Sequence, residues 1–362
     1  MRILVTGGAG YIGSHTARAL ARNGHEVLVY DNLSTGHRFL ADGFEFVLGS
    51  LAEREKLLSC LRNVDGVFHF AACADVAESL RNPRKYYENN VLGGLSLLAA
   101  TTEAKVPFFV FSSSCAVYGL PSKVPISESE KCRPINPYGA TKLAFEQALK
   151  AYASAYGFRF VSLRYFNAAG ADRDGQIGEW HQPETHLIPR ALWVAAGGWK
   201  EMEIYGADYP TPDGTCIRDY VHVSDLAEAH VLALQYLVNG GQSVVLNLGS
   251  CTGYSVLEVL TCVEQVMGTS ISKRICARRI GDPPVLVADS RQARHVLDWQ
   301  PTRTLHDIVR SAWIWMTILQ QKVPGLEMED SCELLHRWVW ESEHTRLSAA
   351  GNSCVFYCGK RR

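Results

Sequence analysis

Short apolar runs alternate with helical stretches along the first half of the chain. The runs are rich in β-branched residues and are continuous, which is typical of parallel strands covered on both faces. They lie at 2–6, 26–30, 66–70, 106–112 and 158–164, and the first helical stretch is 14–22. The alternation predicts an α/β fold built on a doubly wound parallel sheet with crossover helices.

The pattern changes after residue 167. Residues 168–216 are richer in Gly, Pro, Trp and polar turns, with one helical stretch at 187–196. Such a segment is suited to loops and short helices that cap a sheet edge and enclose a ligand. Residues 217–250 return to strand and helix character, so we expect the chain to pass back into the first domain before it completes a second.

Length and charge narrow the functional classes. A chain of 362 residues favours two domains, and its net charge of -1 creates no global attraction to nucleic acid or an anionic membrane. No apolar run reaches the ~18 residues of a membrane span, and the first residues do not resemble a signal peptide, so a soluble cytoplasmic protein is expected. The eleven cysteines are scattered without Cys-x-x-Cys pairs, so free thiols are expected and no metal site is predicted.

A glycine-rich turn follows the first predicted strand. Gly7, Gly10 and Gly13 allow a tight turn, close approach of the backbone to a pyrophosphate, and packing of the next helix on the strand. The helix amino terminus then offers N–H groups to the phosphates. The second strand ends at Asp31, where a carboxylate would bind the adenosine ribose and repel a 2′-phosphate. The combination predicts an NAD site of the Rossmann type.

A second motif lies at 136–142. Asn136 is a good N-cap and Pro137 suits the first helical position, so a helix is expected to begin here. Tyr138 and Lys142 are four residues apart and share one face of that helix. Because a nearby ammonium favours the phenolate, we expect the lysine, together with the positive nicotinamide ring, to lower the tyrosine pKa from about 10.

Three serines, Ser112 to Ser114, end the strand upstream of this helix. They would lie at the carboxyl edge of the sheet, where open α/β folds bind ligands. A serine hydroxyl there can hydrogen-bond a reacting hydroxyl group and hold it near the tyrosine. Ser112 and Ser113 are equally consistent with a simple role in capping the strand.

The sequence resembles the extended short-chain dehydrogenase/reductase superfamily and, within it, the UDP-glucose 4-epimerases, over roughly residues 1–320. The motifs that carry the resemblance are TGGAGYIGSH (6–15), DNLSTG (31–36), HFAA (69–72), YYENNVLGG (86–94), FSSSCAVYG (111–119), NPYGATK (136–142), LRYFNAAGA (163–171), ETHLIP (184–189), DGTCIRDYVHV (213–223) and GDPPVLVAD (281–289). The predicted domains are an NAD-binding Rossmann domain at 1–170 with a return around 217–250, a smaller C-terminal α/β substrate-binding domain at 171–325, and a tail of unknown role at 326–362.

The resemblance implies an isomerase that interconverts UDP-glucose and UDP-galactose through a transient 4-keto sugar, with tightly bound NAD and a homodimeric state. Tyr138 would accept the proton of the 4-hydroxyl with the help of Ser114, and Lys142 would complete the catalytic set. The implied cofactor contacts also include Gly7, Gly10, Tyr11, Ile12, Gly13, Asp31, Asn32, Ser34, Thr35, Gly36, Ser50, Leu51, Phe70, Ala71, Ala72, Asn89 and Phe166. The implied substrate contacts are Ser114, Tyr138, Asn167, His186, Leu187, Tyr205, Arg218, Arg279, Asp282 and Leu286.

Three positions depart from the pattern of that family. Ser50 stands where an Asp near the adenine is common, so a weaker adenine contact is expected. Ala74 stands where some members have a lysine that contacts the cofactor. Leu286 occupies the position that gates the size of the C2 substituent, and a side chain of this size leaves N-acetylated sugars open.

Several alternatives stay open. A 4-epimerase of UDP-xylose or UDP-arabinose, UDP-glucuronate or UDP-GlcNAc differs only in the shape of its pocket. Dehydratases and decarboxylases of the superfamily carry acids where this chain has Cys115 and Ala116, so they fit less well. A sugar dehydrogenase would accumulate oxidised product. A non-catalytic NAD-binding protein of the same fold would usually lack the tyrosine or the lysine, and this chain has both.

Overall fold

The computed structural model describes residues 1–279 and 282–322. The strands are β1 Arg2–Thr6, β2 Glu26–Asp31, β3 Glu45–Leu48, β4 Gly66–His69, β5 Phe108–Ser114, β6 Arg159–Tyr165, β7 Asn167–Ala169, β8 Met202–Tyr205, β9 Ile217–His222, β10 Val244–Leu248, β11 Gly253–Ser255, β12 Lys273–Cys276 and β13 Val285–Leu286. The α-helices are α1 Tyr11–Arg22, α2 Arg54–Cys60, α3 Val76–Arg81, α4 Pro83–Tyr86, α5 Gly94–Glu103, α6 Pro137–Tyr156, α7 Leu187–Ala195, α8 Val223–Val238, α9 Val256–Met267, α10 Arg291–Leu297 and α11 Leu305–Lys322. The predicted tail, 326–362, lies outside the described residues.

Seven parallel strands form the large sheet, in the order β3-β2-β1-β4-β5-β6-β10. The chain adds strands outward from β1 on one side and from β4 on the other, so the winding direction reverses between these two strands. Such a switch point is where doubly wound sheets bind their ligands. The predicted α/β fold class, with a doubly wound Rossmann-type sheet, is confirmed.

The two faces of this sheet bury two separate cores. Ile3 and Leu4 are neighbours in β1 and both are fully buried, yet they belong to opposite clusters. Ile3 shares its cluster with residues of α1 and α8, whereas Leu4 shares its cluster with residues of α2, α5 and α6. Burying each such side chain contributes about 1.5–3 kcal/mol. Burial on both faces is the reason why these strands are continuous apolar runs.

Two elements differ by two or more residues from their predicted bounds. The helix α1 begins at Tyr11 rather than at residue 14, because the N–H of Ser14 already donates to the carbonyl of Gly10 at 3.0 Å. The strand β5 begins after Pro107, which has no N–H for the ladder, and it continues to Ser114, which pairs with Tyr165. The strand therefore carries all three serines to the carboxyl edge of the sheet.

The remaining strands form two smaller sheets. β9 pairs with β7, β11 and β13, and β8 pairs with β12. The helices α7, α9 and α11 bury a core of their own beside these strands. β10 instead joins the large sheet beside β6, and α8 packs on the large sheet with α1. The domain boundaries drawn from the sequence stay a prediction. Within the described residues, no helix combines the length and the apolar character that crossing a membrane requires.

Candidate active site

The glycine turn between β1 and α1 places its backbone where side chains do not fit. Gly7 has a φ of +74°, and a Cβ atom there would lie 2.4 Å from the backbone nitrogen of Ala71. A Cβ atom at Gly13 would lie 2.2 Å from the carbonyl oxygen of Gly7. At Gly10 the only atom within 4 Å of a Cβ would be that same oxygen, and no side chain caps α1. Open space in front of uncapped N–H groups fits a pyrophosphate.

Asp31 lies against the glycine turn at the end of β2. Its carboxylate accepts the N–H of Ala9 at 3.0 Å and the N–H of Leu33 at 2.8 Å. Burial raises the pKa of Asp31, although these backbone donors oppose the shift. The loop 32–36 returns to the same turn, and a Cβ atom at Gly36 would lie 2.9 Å from the carbonyl group of Ala9. The acid and the phosphate turn are therefore held side by side, as NAD requires.

The helix α6 starts as predicted. The Asn136 side chain accepts the N–H of Gly139 at 2.8 Å, and Pro137 occupies the first turn. Because the N-cap sets where the helix begins, it also sets which residues follow on one face. Tyr138 and Lys142 lie on that face, next to the end of β5.

Ser114, Tyr138 and Lys142 come together at the carboxyl end of β5. The hydroxyl of Tyr138 lies close enough to Ser114 for the serine to favour its phenolate form. The Nζ of Lys142 lies 5.9 Å from the centre of the Tyr138 ring and donates to the carbonyl oxygen of Ser112 at 2.7 Å. The hydroxyl of Ser112 accepts a hydrogen bond from Tyr165. Ser112 therefore orients the lysine and does more than cap the strand.

The expected lowering of the tyrosine pKa is wrong for the protein chain by itself. Desolvation raises the pKa of Tyr138 to about 12, the side chain of Ser114 opposes the rise, and Cys115 adds to it. Burial also lowers the pKa of Lys142 to about 7. Burial disfavours the charged form of each group, so the lysine cannot supply a full positive charge to the phenol.

The other predicted cofactor residues lie around the same edge of the large sheet. Most of them directly follow the carboxyl end of a strand: Asn32, Ser34 and Thr35 follow β2, Ser50 and Leu51 follow β3, Phe70, Ala71 and Ala72 follow β4, and Phe166 follows β6. Tyr11 and Ile12 open α1, and the hydroxyl of Tyr11 donates to the carbonyl oxygen of Gly170 at 2.6 Å. The hydroxyl of Ser50 accepts the N–H of Ala52 at 3.3 Å.

Asn89 leads to a neighbour that the sequence analysis did not single out. Its side chain donates to the side-chain oxygen of Asn90 at 2.9 Å. The buried Asn90 accepts the N–H of Cys73 at 2.8 Å and donates to the hydroxyl of Thr141 at 3.1 Å. Asn90 thereby joins the loop after β4 to the catalytic helix. The only available signal was the Asn-Asn pair inside the YYENN motif.

We call the two smaller sheets, together with α7, α9, α11 and their connecting loops, the smaller lobe. The predicted substrate residues in this lobe fall into pairs. Arg218 on β9 lies 3.4 Å from the carboxylate of Asp282. The guanidinium of Arg279 lies 4.0 Å from the centre of the Tyr205 ring. Leu286 is the strand partner of Arg218. Two arginines are thus positioned on the side of the molecule where the resemblance places a diphosphate.

Asn167 and Cys115 connect these pairs to the catalytic residues. Asn167 begins β7, directly after the large-sheet strand β6, and pairs with Tyr220 on β9. Cys115 lies within electrostatic range of both Tyr138 and Arg218. The tyrosine and Arg218 therefore have Cys115 as a common electrostatic neighbour.

Comparison with known proteins identifies the family. The sequence model that describes the NAD dependent epimerase/dehydratase family matches residues 3–249. The chain belongs to this family. UDP-glucose 4-epimerase from Rhizobium meliloti is 51% identical over 315 residues, which cover 86% of this chain and 96% of that protein. UDP-glucose 4-epimerase from Streptococcus mutans is 50% identical over 321 residues, with 87% and 96% covered.

Solved structures of epimerases agree with the fold and the cofactor. UDP-glucose 4-epimerase from Brucella ovis in complex with NAD is similar with a TM-score of 0.84 at 50% identity, over 86% of this chain and 97% of that one. UDP-glucose 4-epimerase from Bifidobacterium longum in complex with NAD+ and UDP has a TM-score of 0.84 at 36% identity, over 90% and 100%. NAD is the cofactor of this NAD dependent epimerase/dehydratase family member.

A buried ion pair beneath the serines was missed by the sequence analysis. Glu146 on α6 and Arg164 on β6 form a two-pronged pair, with nitrogen–oxygen distances of 2.6 and 2.9 Å. Ser113 donates to the same carboxylate at 2.5 Å, and Arg164 also donates to the hydroxyl of Tyr118 at 3.0 Å. This cluster ties the catalytic helix to β5 and β6. Its signal was an arginine within a continuous apolar strand.

A second cluster was also missed, and only one of its members, His186, was predicted to act at all. Glu179, His181, Glu184 and His186 each direct one nitrogen or oxygen atom into a common space, and these atoms lie within 4.8 Å of one another. Although desolvation opposes the charged form, Glu179 and Glu184 raise the pKa of His186 to about 9. The signal was the spacing Glu-x-His-x-x-Glu-x-His.

Proposed function

We propose that this protein is a 4-epimerase that interconverts UDP-glucose and UDP-galactose through a transient 4-keto sugar, with NAD held as a tightly bound cofactor. The observation that carries the proposal is that Ser114, Tyr138 and Lys142 lie together at the edge of the sheet that carries the glycine turn. Identity of about half over 86% of the chain to UDP-glucose 4-epimerases supports the choice of substrate.

The residues around the glycine turn fit NAD. Gly7 and Gly13 keep side chains out of the cradle, and the uncapped amino terminus of α1 faces it. The buried carboxylate of Asp31 is the acceptor for the ribose hydroxyls. Held by these residues, NAD would supply the acceptor and donor of the hydride at C4 of the sugar.

Tyr138 acts as the acid–base residue. Its phenolate oxygen accepts the proton of the sugar 4-hydroxyl and later gives it back, so the residue ends each turnover as it began. Because burial raises the pKa of Tyr138 to about 12, the phenolate needs a positive charge nearby, which the oxidised nicotinamide and Lys142 supply together. Ser114 holds the 4-hydroxyl in line with the tyrosine.

The smaller lobe holds the nucleotide diphosphate. The guanidinium groups of Arg218 and Arg279 suit two-pronged pairing with phosphate oxygens. In the protein chain alone, Asp282 and the Tyr205 ring occupy these groups and so keep them in place. Asn167 and Leu286 then face the sugar. A leucine at that position leaves the size of the C2 substituent open, so UDP-GlcNAc stays an alternative together with UDP-pentoses and UDP-glucuronate.

We further propose a cytoplasmic homodimer. Exposed apolar side chains lie on consecutive segments between α3 and α5, namely Val76, Leu80, Tyr87 and Leu92, and a second copy of the chain would cover them. The eight described cysteines are free thiols, which suits a reducing compartment.

The test incubates the protein with UDP-galactose without added NAD, stops the reaction, and then measures the UDP-glucose formed with UDP-glucose dehydrogenase and NAD in a separate step. Tyr138→Phe removes the proton acceptor and is expected to lower kcat by about 10²–10⁴-fold. The matched control is Tyr156→Phe, which makes the same change at an exposed position of the same helix. Turnover by Tyr138→Phe equal to the control would overturn the mechanism. Activity on another UDP-sugar alone would retain the mechanism and replace the substrate.

A further inference from the structure

We propose that the loop 179–186 binds one divalent transition-metal ion of the zinc class through Glu179, His181, Glu184 and His186. The four side chains offer two imidazole nitrogens and two carboxylate oxygens, all within 4.8 Å of one another. All four come from eight consecutive residues, so the site forms within one loop. His186 is also among the substrate contacts that the resemblance implies, and the proposal assigns it to the metal ion instead.

The distances fit four ligands around one ion. Zn–N bonds of about 2.0–2.1 Å and Zn–O bonds of about 2.0–2.2 Å in a tetrahedron place the ligand atoms about 3.4 Å apart. The Nδ1 of His181 lies 3.5 Å from an oxygen of Glu179 and 3.5 Å from an oxygen of Glu184. The Nδ1 of His186 lies 3.7 Å from the other oxygen of Glu184. Because each residue offers one ligand atom, two separations, those from His181 to Glu179 and to Glu184, already match a tetrahedral ion.

One separation must increase. The Nδ1 of His186 is hydrogen-bonded to Glu179 at 2.5 Å, so binding requires this pair to open by about 1 Å. The His186 side chain is 56% exposed, which leaves its ring room to move. The ion then takes the position of the proton that the two groups share.

His181 supplies an independent observation. Its Nδ1 atom is buried and makes no hydrogen bond, although two carboxylates lie near it. Buried polar atoms are normally hydrogen-bonded, whereas this nitrogen lies 3.5 Å from each carboxylate without a hydrogen bond, so it is available to an ion placed between them. The two imidazole rings cross at 79°, with centres 5.1 Å apart, so they approach the common space from different directions.

The backbone around the cluster holds the carboxylates in place. One oxygen of Glu184 accepts the N–H groups of Thr185 and His186, each at 2.8 Å, which leaves its other oxygen beside His181. The carbonyl group of Glu179 accepts the indole N–H of Trp315 on α11 at 2.7 Å. Such outer contacts orient metal ligands and usually accompany a built site.

The donor set selects the type of ion. Imidazole ligands favour zinc and its transition-metal neighbours over magnesium and calcium, which take oxygen ligands. The two carboxylates together balance the charge of one dication. All four positions are taken by protein atoms, which is typical of a structural ion. Its effect is to hold the loop that leads into α7, where His186 is the N-cap residue.

The test uses the full chain, stripped of metal with a chelator and titrated calorimetrically with Zn²⁺. The variant is His181→Ala/Glu184→Gln, and the matched control is His295→Ala/Glu103→Gln, which changes an exposed histidine and an exposed glutamate elsewhere. We expect the control to bind one zinc equivalent more than the variant. If the variant retains binding, its affinity should fall by more than the ~10–100-fold that outer-shell changes cause. Equal stoichiometry and affinity in the two proteins would overturn the proposal.

Cobalt separates this site from the cysteines. A Co²⁺ ion bound by nitrogen and oxygen gives visible absorption without the near-ultraviolet charge-transfer band of a thiolate. It should also quench the fluorescence of Trp180, which lies between two of the ligands. Both signals are expected in the control and in the single variant Glu103→Gln, and both should be lost in the single variant Glu184→Gln. A thiolate band as the only signal would contradict the proposal.

Discussion

Two clusters, each built on glutamate and a basic residue, differ in the region of the molecule that holds them. Glu146 and Arg164 lie between α6 and the large sheet, with side chains 1% and 5% exposed. Glu179 and His186 lie in a loop of the smaller lobe, where the histidine is half exposed. Arginine stays charged at every accessible pH, whereas histidine can release its proton. The ion pair of Glu146 and Arg164 beneath the serines therefore persists at every accessible pH. The histidine of the second cluster can instead lose its proton and bind a different partner.

The largest expected effect is the loss of stability when the ion pair of Glu146 and Arg164 is broken. Glu146→Gln leaves the buried charge of Arg164 without a counter-charge, and we expect a loss of about 3–5 kcal/mol in the free energy of unfolding, measured with urea. The matched control is Glu103→Gln, which removes an exposed ion pair with Arg54 and should cost about 0.2–1 kcal/mol. Equal losses of unfolding free energy in the two variants would show that the buried ion pair is no more stabilising than the exposed one.

The free energy of unfolding should depend on pH through His230 in the first region and through His186 in the second. The two dependences are expected to have opposite signs. His230 packs among the rings of Phe68, Phe70 and Tyr165, and burial lowers its pKa to about 4. The unfolded state, with a histidine pKa of about 6.5, binds a proton that the folded state does not. The free energy of unfolding therefore falls as pH drops from about 6.5 towards 4, by up to about 1.4 kcal/mol per pH unit.

The test is the slope of stability between pH 5 and 6.5. His230→Leu removes the titrating group, so its slope should be smaller than that of the unchanged protein, and His295→Leu, at an exposed position, should leave the slope as it was.

The pH dependence that His186 contributes has the opposite sign. Its folded pKa of about 9 means that its stabilisation is present below about pH 6.5 and is lost as pH rises towards 9. Half exposure screens this term and keeps it small.

The smallest effect is expected at the loop cluster. Without metal, Glu179→Gln should lower the free energy of unfolding by about 1 kcal/mol or less, because its partner His186 is half exposed and water replaces much of the ion pair. Urea unfolding of the metal-stripped protein measures it beside Glu146→Gln. A loss as large as that of Glu146→Gln would mean that the ion pair in the loop stabilises the fold as much as the buried pair at the sheet. The contrast between the two regions would then be wrong.

The proposed catalytic residues could be placed together from the sequence because their signals are local. The N-cap Asn136 and the first-turn Pro137 begin α6, and helix geometry alone then places Tyr138 beside Lys142. The glycine turn is equally local, since the clash at Gly13 involves Gly7, six residues away. What the spacing could not supply was the electrostatic state of the pair. The pKa of Tyr138 is raised by desolvation, and that depends on everything packed around the ring.

The clusters missed from the sequence were missed for two different reasons. Glu146 and Arg164 are eighteen residues apart and meet only because α6 crosses over β5 and β6. Nothing in the sequence near either residue indicates the other. The loop cluster is local, yet four polar residues in a polar loop look like solvated surface until their atoms are seen to converge.

The sequence by itself determined the parallel sheet, the phosphate turn, the acid beside it and the order of serine, tyrosine and lysine. These features follow from backbone sterics, helix periodicity and two-sided burial, which act over a few residues. Only the tertiary structure decided that Arg218 pairs with Asp282, that Arg164 is held under the serines, and that the tyrosine and lysine are both desolvated. Those outcomes depend on which distant segments exclude water from one another, and that is a property of the packed molecule.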